Sequence, residues 1–110
     1  MKSLSKKKND LDTARVKIFS ALADPIRLKI LYCLRDGEKY VTEMVPLLKT
    51  VQPLISRHLK ILKGCGLVSC RKEGNKRPYW VTDKRVFEII DMVGEDFVKS
   101  VARYAEEELL

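Results

Sequence analysis

The chain has 110 residues, 45% of them hydrophobic and 34% charged, with a formal net charge of +7. This length is enough for one hydrophobic core and short for two, so we expect a single domain. No apolar run reaches the roughly 18 residues of a membrane span, and the polar N-terminus MKSLSKKKND lacks the apolar centre of a signal peptide, which favours a cytoplasmic protein without a membrane partner.

Positive charge is concentrated in one part of the chain. Residues 1–82 contain 18 basic and 7 acidic residues, a balance of +11, whereas residues 83–110 contain 4 and 8, a balance of −4. Within 49–77 there are 8 basic residues and one acid, Glu73. Such clustering is typical of a polyanion binder, because each Lys or Arg set against a phosphate releases condensed counterions. A solvated basic surface is the plainer alternative.

The N-terminal region divides into an arm and a first helix. The first ten residues are polar and include three consecutive lysines, so we predict a mobile basic arm over 1–10 and a single domain over 11–110. A helix is then predicted to end near Asp24. Its apolar residues recur at helical spacing at Leu11, Ala14, Ile18 and Leu22.

Two shorter helices are predicted next. Asp24 is a good N-cap, Pro25 suits the first helical position, and Gly37 is expected to end this second helix. Thr42 is predicted to cap a third helix, Glu43–Leu48. The core-facing residues of the second helix are Ile26, Ile30, Leu31 and Leu34.

The segment Gln52–Gly66 is predicted to be a DNA-recognition helix, and Lys49–Val51 the turn before it. One of its faces is apolar and suits a core, whereas its first turns carry groups that hydrogen-bond to base edges and phosphates. The apolar residues are Ile55, Leu59 and Leu62, and the polar ones are Gln52, Ser56, Arg57 and His58.

After this helix, the spacing changes to that of a β-hairpin. Strands are predicted over Leu67–Cys70 and Tyr79–Val81, with Gly74-Asn75 in the turn. Pro78 limits ladder pairing, as expected near the end of a hairpin. The whole pattern predicts a mainly α fold with a small β-hairpin wing (α+β), a winged helix-turn-helix.

The C-terminal region is predicted to be one helix of about 25 residues, capped by Asp83. Its apolar seam is too long for so small a body to cover, so we predict a homodimer that pairs through the N- and C-terminal helices. The alternative is an amphipathic helix folded back on its own core. The seam residues are Val86, Ile90, Val93, Phe97, Val101 and Tyr104.

Several segments together are similar to the ArsR/SmtB family of small dimeric winged-helix repressors. The resemblance covers about residues 14–83, and several matches in the right order are more specific than one helix-turn-helix pattern. The matching segments are Phe19–Leu31, Gln52-Pro53, Ser56–Leu62, Gly66–Val68, Arg71, Glu73-Gly74 and Tyr79.

The resemblance implies which residues contact DNA. The positions that face the major groove in the family are here Gln52, Ser56, Arg57 and His58, and the wing-tip positions near the minor groove are Lys76 and Arg77. Gln can pair with adenine and Arg with guanine, and a wing arginine suits a narrow minor groove. A surface salt bridge and a satisfied polar contact are the alternatives for Arg57 and His58. Pro53, Lys60 and Arg71 complete the predicted set.

The sequence departs from the family at its inducer sites. Many members bind soft metals through Cys-Val-Cys, and the aligned positions here are Tyr40, Val41 and Thr42. Zinc sensors of the family use histidines on the terminal helix, yet no histidine follows His58, so we expect neither a metal nor a cofactor. The family's serine before the recognition helix is Val51, and Thr50 is expected to cap that helix instead.

The three cysteines are expected to be reduced thiols, because the chain has no export signal. Cys33, Cys65 and Cys70 are interpreted as small, partly buried hydrophobic residues. A response of the Cys65 and Cys70 thiols to an oxidant or soft metal is the alternative hypothesis, based on their nearness in sequence.

The predicted function is a sequence-specific transcriptional regulator, a homodimeric repressor that binds a near-palindromic operator in double-stranded DNA. The effector is left open. The alternative is a winged-helix module that binds a protein, or binds nucleic acid without sequence preference. An enzyme is not expected, because the single histidine has no nucleophile and base pattern near it.

Overall fold

The computed structural model describes the backbone of residues 2–109 and the side chains of residues 10–107. Within that part of the chain lie six helices and three short strands. This order confirms the predicted mainly α fold with a small hairpin. The elements are α1 (Lys2–Leu22), α2 (Pro25–Cys33), β1 (Lys39–Tyr40), α3 (Val41–Leu48), α4 (Gln52–Gly64), β2 (Val68–Cys70), β3 (Pro78–Val81), α5 (Arg85–Met92) and α6 (Glu95–Leu109).

Helix α1 begins earlier than expected. Its backbone is helical from Lys2, whereas the apolar spacing predicted a start at Leu11. The mobility of residues 1–10, and with it the division between an arm and a domain, stays a prediction. None of the described helices is both long and apolar enough to cross a membrane.

Helix α2 begins as predicted and ends sooner. The Asp24 Oδ2 atom accepts hydrogen bonds from the N–H groups of Ile26 at 2.9 Å and Arg27 at 3.1 Å. These bonds, the one from Arg27 first, lower the pKa of the Asp24 carboxyl. The helix stops at Cys33, and Gly37, with a φ of +138°, lies in the turn beyond it rather than at the helix end.

Helix α3 starts two residues before the predicted position. Its N-cap position is Tyr40, so the prediction that Thr42 caps it is wrong. The Glu43 side chain reaches back and accepts the Tyr40 backbone N–H at 3.0 Å. The helix continues through Pro46 and ends at Leu48, and its C-cap residue Lys49 has a φ of 53°, in the left-handed region.

The core is formed mainly by α2, α3, α4 and the hairpin. The predicted faces of α2 and α4 both point into it, although Ile26 is only partly buried. Burying a large aliphatic side chain stabilises a fold by about 1.5–3 kcal/mol, so this layer holds the recognition helix in place. The buried apolar residues are Ala21, Ile30, Leu31, Leu34, Met44, Leu48, Ile55, Leu59, Leu62, Leu67, Val68 and Val86.

The wing is a hairpin with a two-residue turn. Glu73 and Lys76 exchange backbone hydrogen bonds of 2.9 and 3.0 Å around Gly74-Asn75, as predicted. Gly74 has a φ of +62°, which glycine adopts without a steric cost. Strand β3 begins at Pro78, whose carbonyl accepts the N–H of Arg71.

A third strand, which the sequence did not predict, joins the hairpin. The sheet order is β1-β3-β2, and both pairs are antiparallel. In the first pair, Lys39 lies opposite Tyr79 and Tyr40 opposite Pro78. Since β1 leads directly into α3, the wing is attached to the helix-turn-helix at this edge.

The predicted single C-terminal helix is two helices. The N-cap position of α5 is Lys84, so the prediction that Asp83 occupies it is wrong by one residue, although Asp83 accepts the Arg85 N–H at 2.9 Å. The helix then breaks at Val93 and Gly94. A Cβ atom on Gly94 would lie 3.1 Å from the Asp91 carbonyl oxygen, so glycine permits the tight turn between α5 and α6.

Helix α6 does not fold back onto the core. All of its described side chains are exposed, which excludes the alternative of a self-covered helix for this segment. The Cα radius of gyration is 17.1 Å, whereas a compact domain of this length has about 13 Å. The chain therefore has an extended part beyond its core.

Candidate nucleic-acid interface

Helix α4 presents a polar face to solvent because its other face is anchored in the core. Ile55, Leu59 and Leu62 are fully buried. The exposed face carries amide, hydroxyl, guanidinium and ammonium groups, which suit base edges and phosphates. Its predicted binding residues are Gln52, Pro53, Ser56, Arg57 and Lys60.

The start of α4 has no side-chain cap. Val51 occupies the N-cap position, and the Thr50 hydroxyl donates instead to the Leu48 carbonyl at 3.3 Å. The expectation that Thr50 caps this helix is therefore wrong. The uncapped N–H groups and the positive end of the helix dipole favour an anion such as a phosphate.

His58 lies on a different side of α4 from the other predicted residues. Its side chain is only 12% exposed, and its Nδ1 atom lies 3.8 Å from Asp24 Oδ2. The same nitrogen lies 3.2 Å from Arg27 Nη1. His58 therefore makes the polar contacts that were the alternative for it, while a contact with DNA stays a prediction.

Arg27 is the residue that sequence reasoning missed. Its Nε donates to the Ala21 carbonyl at 2.6 Å and its Nη2 to the Ser20 carbonyl at 3.2 Å, at the end of α1. Because guanidinium nitrogens only donate, the Nδ1 of His58 is the acceptor in its contact with Arg27. One signal was available, since a cation in the first turn of α2 opposes the helix dipole and indicates a partner elsewhere.

The wing and the recognition helix face each other across a cleft of about 230 Å³. Gln52 and Ser56 line it from α4, and Lys76 and Arg77 line it from the wing. Four of the predicted DNA-binding residues, distant in sequence, are thus brought together on one surface. Lys76 Nζ also lies 5.3 Å from the centre of the Tyr40 ring.

Arg71 does not share this surface. Its guanidinium donates to both carboxylate oxygens of Glu38, at 2.8 and 2.7 Å, and lies 3.1 Å from a carboxylate oxygen of Glu73. The bond from Arg71 lowers the pKa of the Glu38 carboxyl. The side chain predicted to bind DNA is therefore paired within the protein.

Comparison with known proteins identifies the family. The profile described as "Bacterial regulatory protein, arsR family" matches residues 24–69. An HTH-type transcriptional regulator of Methanocaldococcus jannaschii is 48% identical over 80 residues, which are 72% of this chain and 90% of that protein. The chain belongs to the ArsR family. It is a DNA-binding transcriptional regulator and not an enzyme.

Two further proteins are similar to this ArsR-family regulator. The repressor SmtB of Mycobacterium tuberculosis is 38% identical over 86 residues, and the match covers 74% of this chain but only 64% of that protein, less than two thirds of its length. A homodimeric winged helix-turn-helix DNA-binding domain from Mycobacterium bovis superposes with a TM-score of 0.70 at 28% identity, covering 93% of this chain and 90% of that one. These matches confirm the winged helix-turn-helix fold.

The thiols of this ArsR-family regulator are all half-buried. Burial raises the pKa of the Cys33 thiol and so disfavours the reactive thiolate. Cys65 occupies the C-cap position of α4, and Cys70 lies opposite Tyr79 in the sheet. A Cys65 and Cys70 sensor stays a hypothesis. Among the described residues, no three His, Cys, Asp or Glu side chains are grouped to hold a metal ion.

Proposed function

We propose that this regulator is a homodimeric repressor that sets two α4 helices in successive major grooves of a near-palindromic operator. The observation that carries the proposal is the cleft in which Gln52 and Ser56 of α4 face Lys76 and Arg77 of the wing. A helix and a hairpin separated in this way suit a major groove and the adjoining minor groove.

The exposed groups have distinct tasks in this proposal. Gln52 can pair bidentately with adenine, and Arg57 with guanine. Lys60 and the wing cation Lys76 lie where phosphates would neutralise their charge, and Arg77 suits the negative potential of a narrow minor groove. Pro53 belongs to the first turn of α4 and Ser56 to the second, and both would lie at the end of the helix that meets the DNA.

A second copy of the chain is the proposed partner of the terminal helices. Large apolar side chains on α6 are exposed by 56% at Phe97, 53% at Val101 and 60% at Tyr104, and those of Phe19 on α1 and Val93 after α5 by 58% each. Patches of this kind mark interfaces. The homodimeric state of the related Mycobacterium bovis domain supports the same assembly here.

Repression follows from the position of such a dimer on a promoter, where it would block access to the DNA. The relative SmtB is named a repressor, which supports this direction of control. A change in the relative orientation of the two recognition helices would release the operator in response to an effector. The protein would act in the cytoplasm, where its operator lies.

Selection of bound duplexes from a random DNA pool, with affinity measured at two salt concentrations, tests the proposal. We expect an enriched palindrome whose half-sites lie about one helical turn apart. Binding that enriches no sequence and disappears at the higher salt would instead indicate a nonspecific polyanion binder. No binding at all would favour a protein-interaction module.

A further inference from the structure

A network of paired side chains lies at the base of the wing, and one of its members, Tyr40, also lines the cleft. Arg71 on the hairpin contacts Glu38 through two parallel hydrogen bonds of 2.8 and 2.7 Å. Such fork-to-fork pairs fix the orientation of both groups as well as their separation. The Arg71 guanidinium carbon also lies 5.6 Å from the centre of the Trp80 ring.

The same network continues to the helix-turn-helix through Tyr40. The Tyr40 hydroxyl donates to Glu73 Oε1 at 3.0 Å, while the other carboxylate oxygen of Glu73 lies 3.1 Å from Arg71. The backbone N–H of Tyr40 is bonded to Glu43 on α3. A continuous set of contacts therefore runs from the first turn of α3 to the wing.

We propose that Glu38, Tyr40, Arg71 and Glu73 form a wing clamp, whose members are positioning residues and not DNA contacts. The clamp holds the hairpin at the angle at which Lys76 faces the cleft. This inference rests on the proposed function, because it assigns a task to the wing during operator binding. It also explains why Arg71, a basic residue beside a DNA-binding surface, is paired with two acids.

The clamp acts on binding more than on stability. All four side chains lie near the surface, and exposed ion pairs contribute little to the free energy of unfolding. A wing held in place before binding loses less conformational freedom when it meets DNA. Releasing it should weaken operator binding about five- to thirtyfold, equivalent to ordering one more backbone residue.

The substitution Glu38→Gln tests the clamp, because the clamp and simple charge repulsion predict opposite changes in operator affinity. The substitution removes a negative charge beside a polyanion interface, so Coulombic repulsion alone predicts tighter binding. Loss of the clamp predicts weaker binding. Asp36→Asn is the matched control, because it removes the same charge two residues away at an exposed acid for which the described residues show no ion pair.

The experiment measures operator affinity for the wild type and both variants, together with amide hydrogen exchange of the free proteins. We expect Glu38→Gln to bind more weakly than Asp36→Asn and to exchange the wing amides of Glu73 and Lys76 faster, at an unchanged melting temperature. Tyr40→Phe, which keeps the ring beside Lys76 and removes the bond to Glu73, should shift both readouts in the same direction by less.

Operator binding by Glu38→Gln that is as tight as that of Asp36→Asn, or tighter, would overturn the clamp. Tighter binding would also indicate that Arg71 contacts a phosphate. Unchanged exchange of the wing amides would overturn it as well. A second check combines Glu38→Gln with Lys76→Ala, where the clamp predicts that the second change costs less than it does in the wild type. If the wild type selects no operator, the proposed function fails, and the exchange comparison still decides the clamp.

Discussion

Two parts of the molecule differ in how far their apolar side chains are buried. The reading head, residues 25–81, buries Ile30, Ile55 and Leu59 completely, whereas α6 leaves Phe97 and Val101 more than half exposed. The reading head therefore covers these apolar side chains within one chain, whereas the terminal helices leave theirs uncovered. The side chains proposed to read DNA all belong to the reading head, so base preference should be determined within one chain. The affinity for the whole operator should depend on a second copy, which the terminal helices are proposed to bind.

The largest expected effect on operator affinity comes from a substitution in the terminal helices. Val101→Asp places a charge in the exposed seam and should convert the dimer to a monomer in sedimentation experiments. Operator affinity should fall by about 10²–10⁴-fold, because the two half-sites would no longer be bound together. Ala102→Asp adds the same charge one residue away, outside the seam, and should leave the dimer intact. Equal behaviour of the two variants would disprove pairing through this face.

A core substitution tests whether the head is held by its own packing. Leu59→Ala should lower the free energy of unfolding by about 2–5 kcal/mol, because the truncated side chain leaves a cavity. The neighbouring exposed residue gives the control, and Lys60→Ala should change stability by about 0.5 kcal/mol or less. Urea unfolding measures both. Similar midpoints for the two variants would contradict the assignment of α4's inner face.

The next pair of variants separates base reading from charge. Arg57→Ala should weaken operator binding by about 1–3 kcal/mol and relax base preference, whereas Lys76→Ala should weaken all duplexes alike and reduce the salt slope by about one. Titrations of the operator and of a random duplex at several salt concentrations measure both. Equal losses on the two duplexes for Arg57→Ala would reject a base contact for Arg57.

The smallest effect concerns pH and the start of α2. Two N–H groups bind the Asp24 carboxylate and lower its pKa below the usual 3.8, so its contribution to stability is present above that pH and is lost as pH falls through the lowered value. Asp24→Asn keeps a capping residue without the charge. The stability difference from the wild type should therefore shrink as pH falls from about 5 through the lowered pKa of Asp24, as measured by urea midpoints, and a constant difference would exclude this origin. Among the described residues, the charges of His58 and Arg27 also lower the pKa of Asp24.

Three elements with local signals were predicted well, although the caps assigned to Thr42 and Thr50 were not. Asp24-Pro25 specifies a helix start by hydrogen bonding and fixed φ, and the period of the apolar residues specifies the inner face of α4. Gly74-Asn75 specifies a tight turn. Each signal depends on residues close together in the sequence, so its meaning does not change with the tertiary structure.

Two of the features that were missed, strand β1 and the orientation of His58, depend on contacts between distant residues. Strand β1 has two residues and exists only through pairing with β3, so no periodicity could indicate it. The orientation of His58 depends on Arg27, 31 residues away. The break at Gly94 was hidden because the apolar spacing continues across it from Ile90 to Phe97 while the backbone does not.

Arg27 connects the reading head to the first of the terminal helices through hydrogen bonds. One guanidinium bonds the end of α1, next to the exposed Phe19, and the ring of His58 on α4, next to the exposed Arg57. Arginine has separate donors fixed in one plane for these directions, and the single ammonium of lysine does not replace them. The orientations of α1 and α4 are therefore linked through one polar side chain, so we expect a movement where two copies meet to be passed on to the helix proposed to contact DNA.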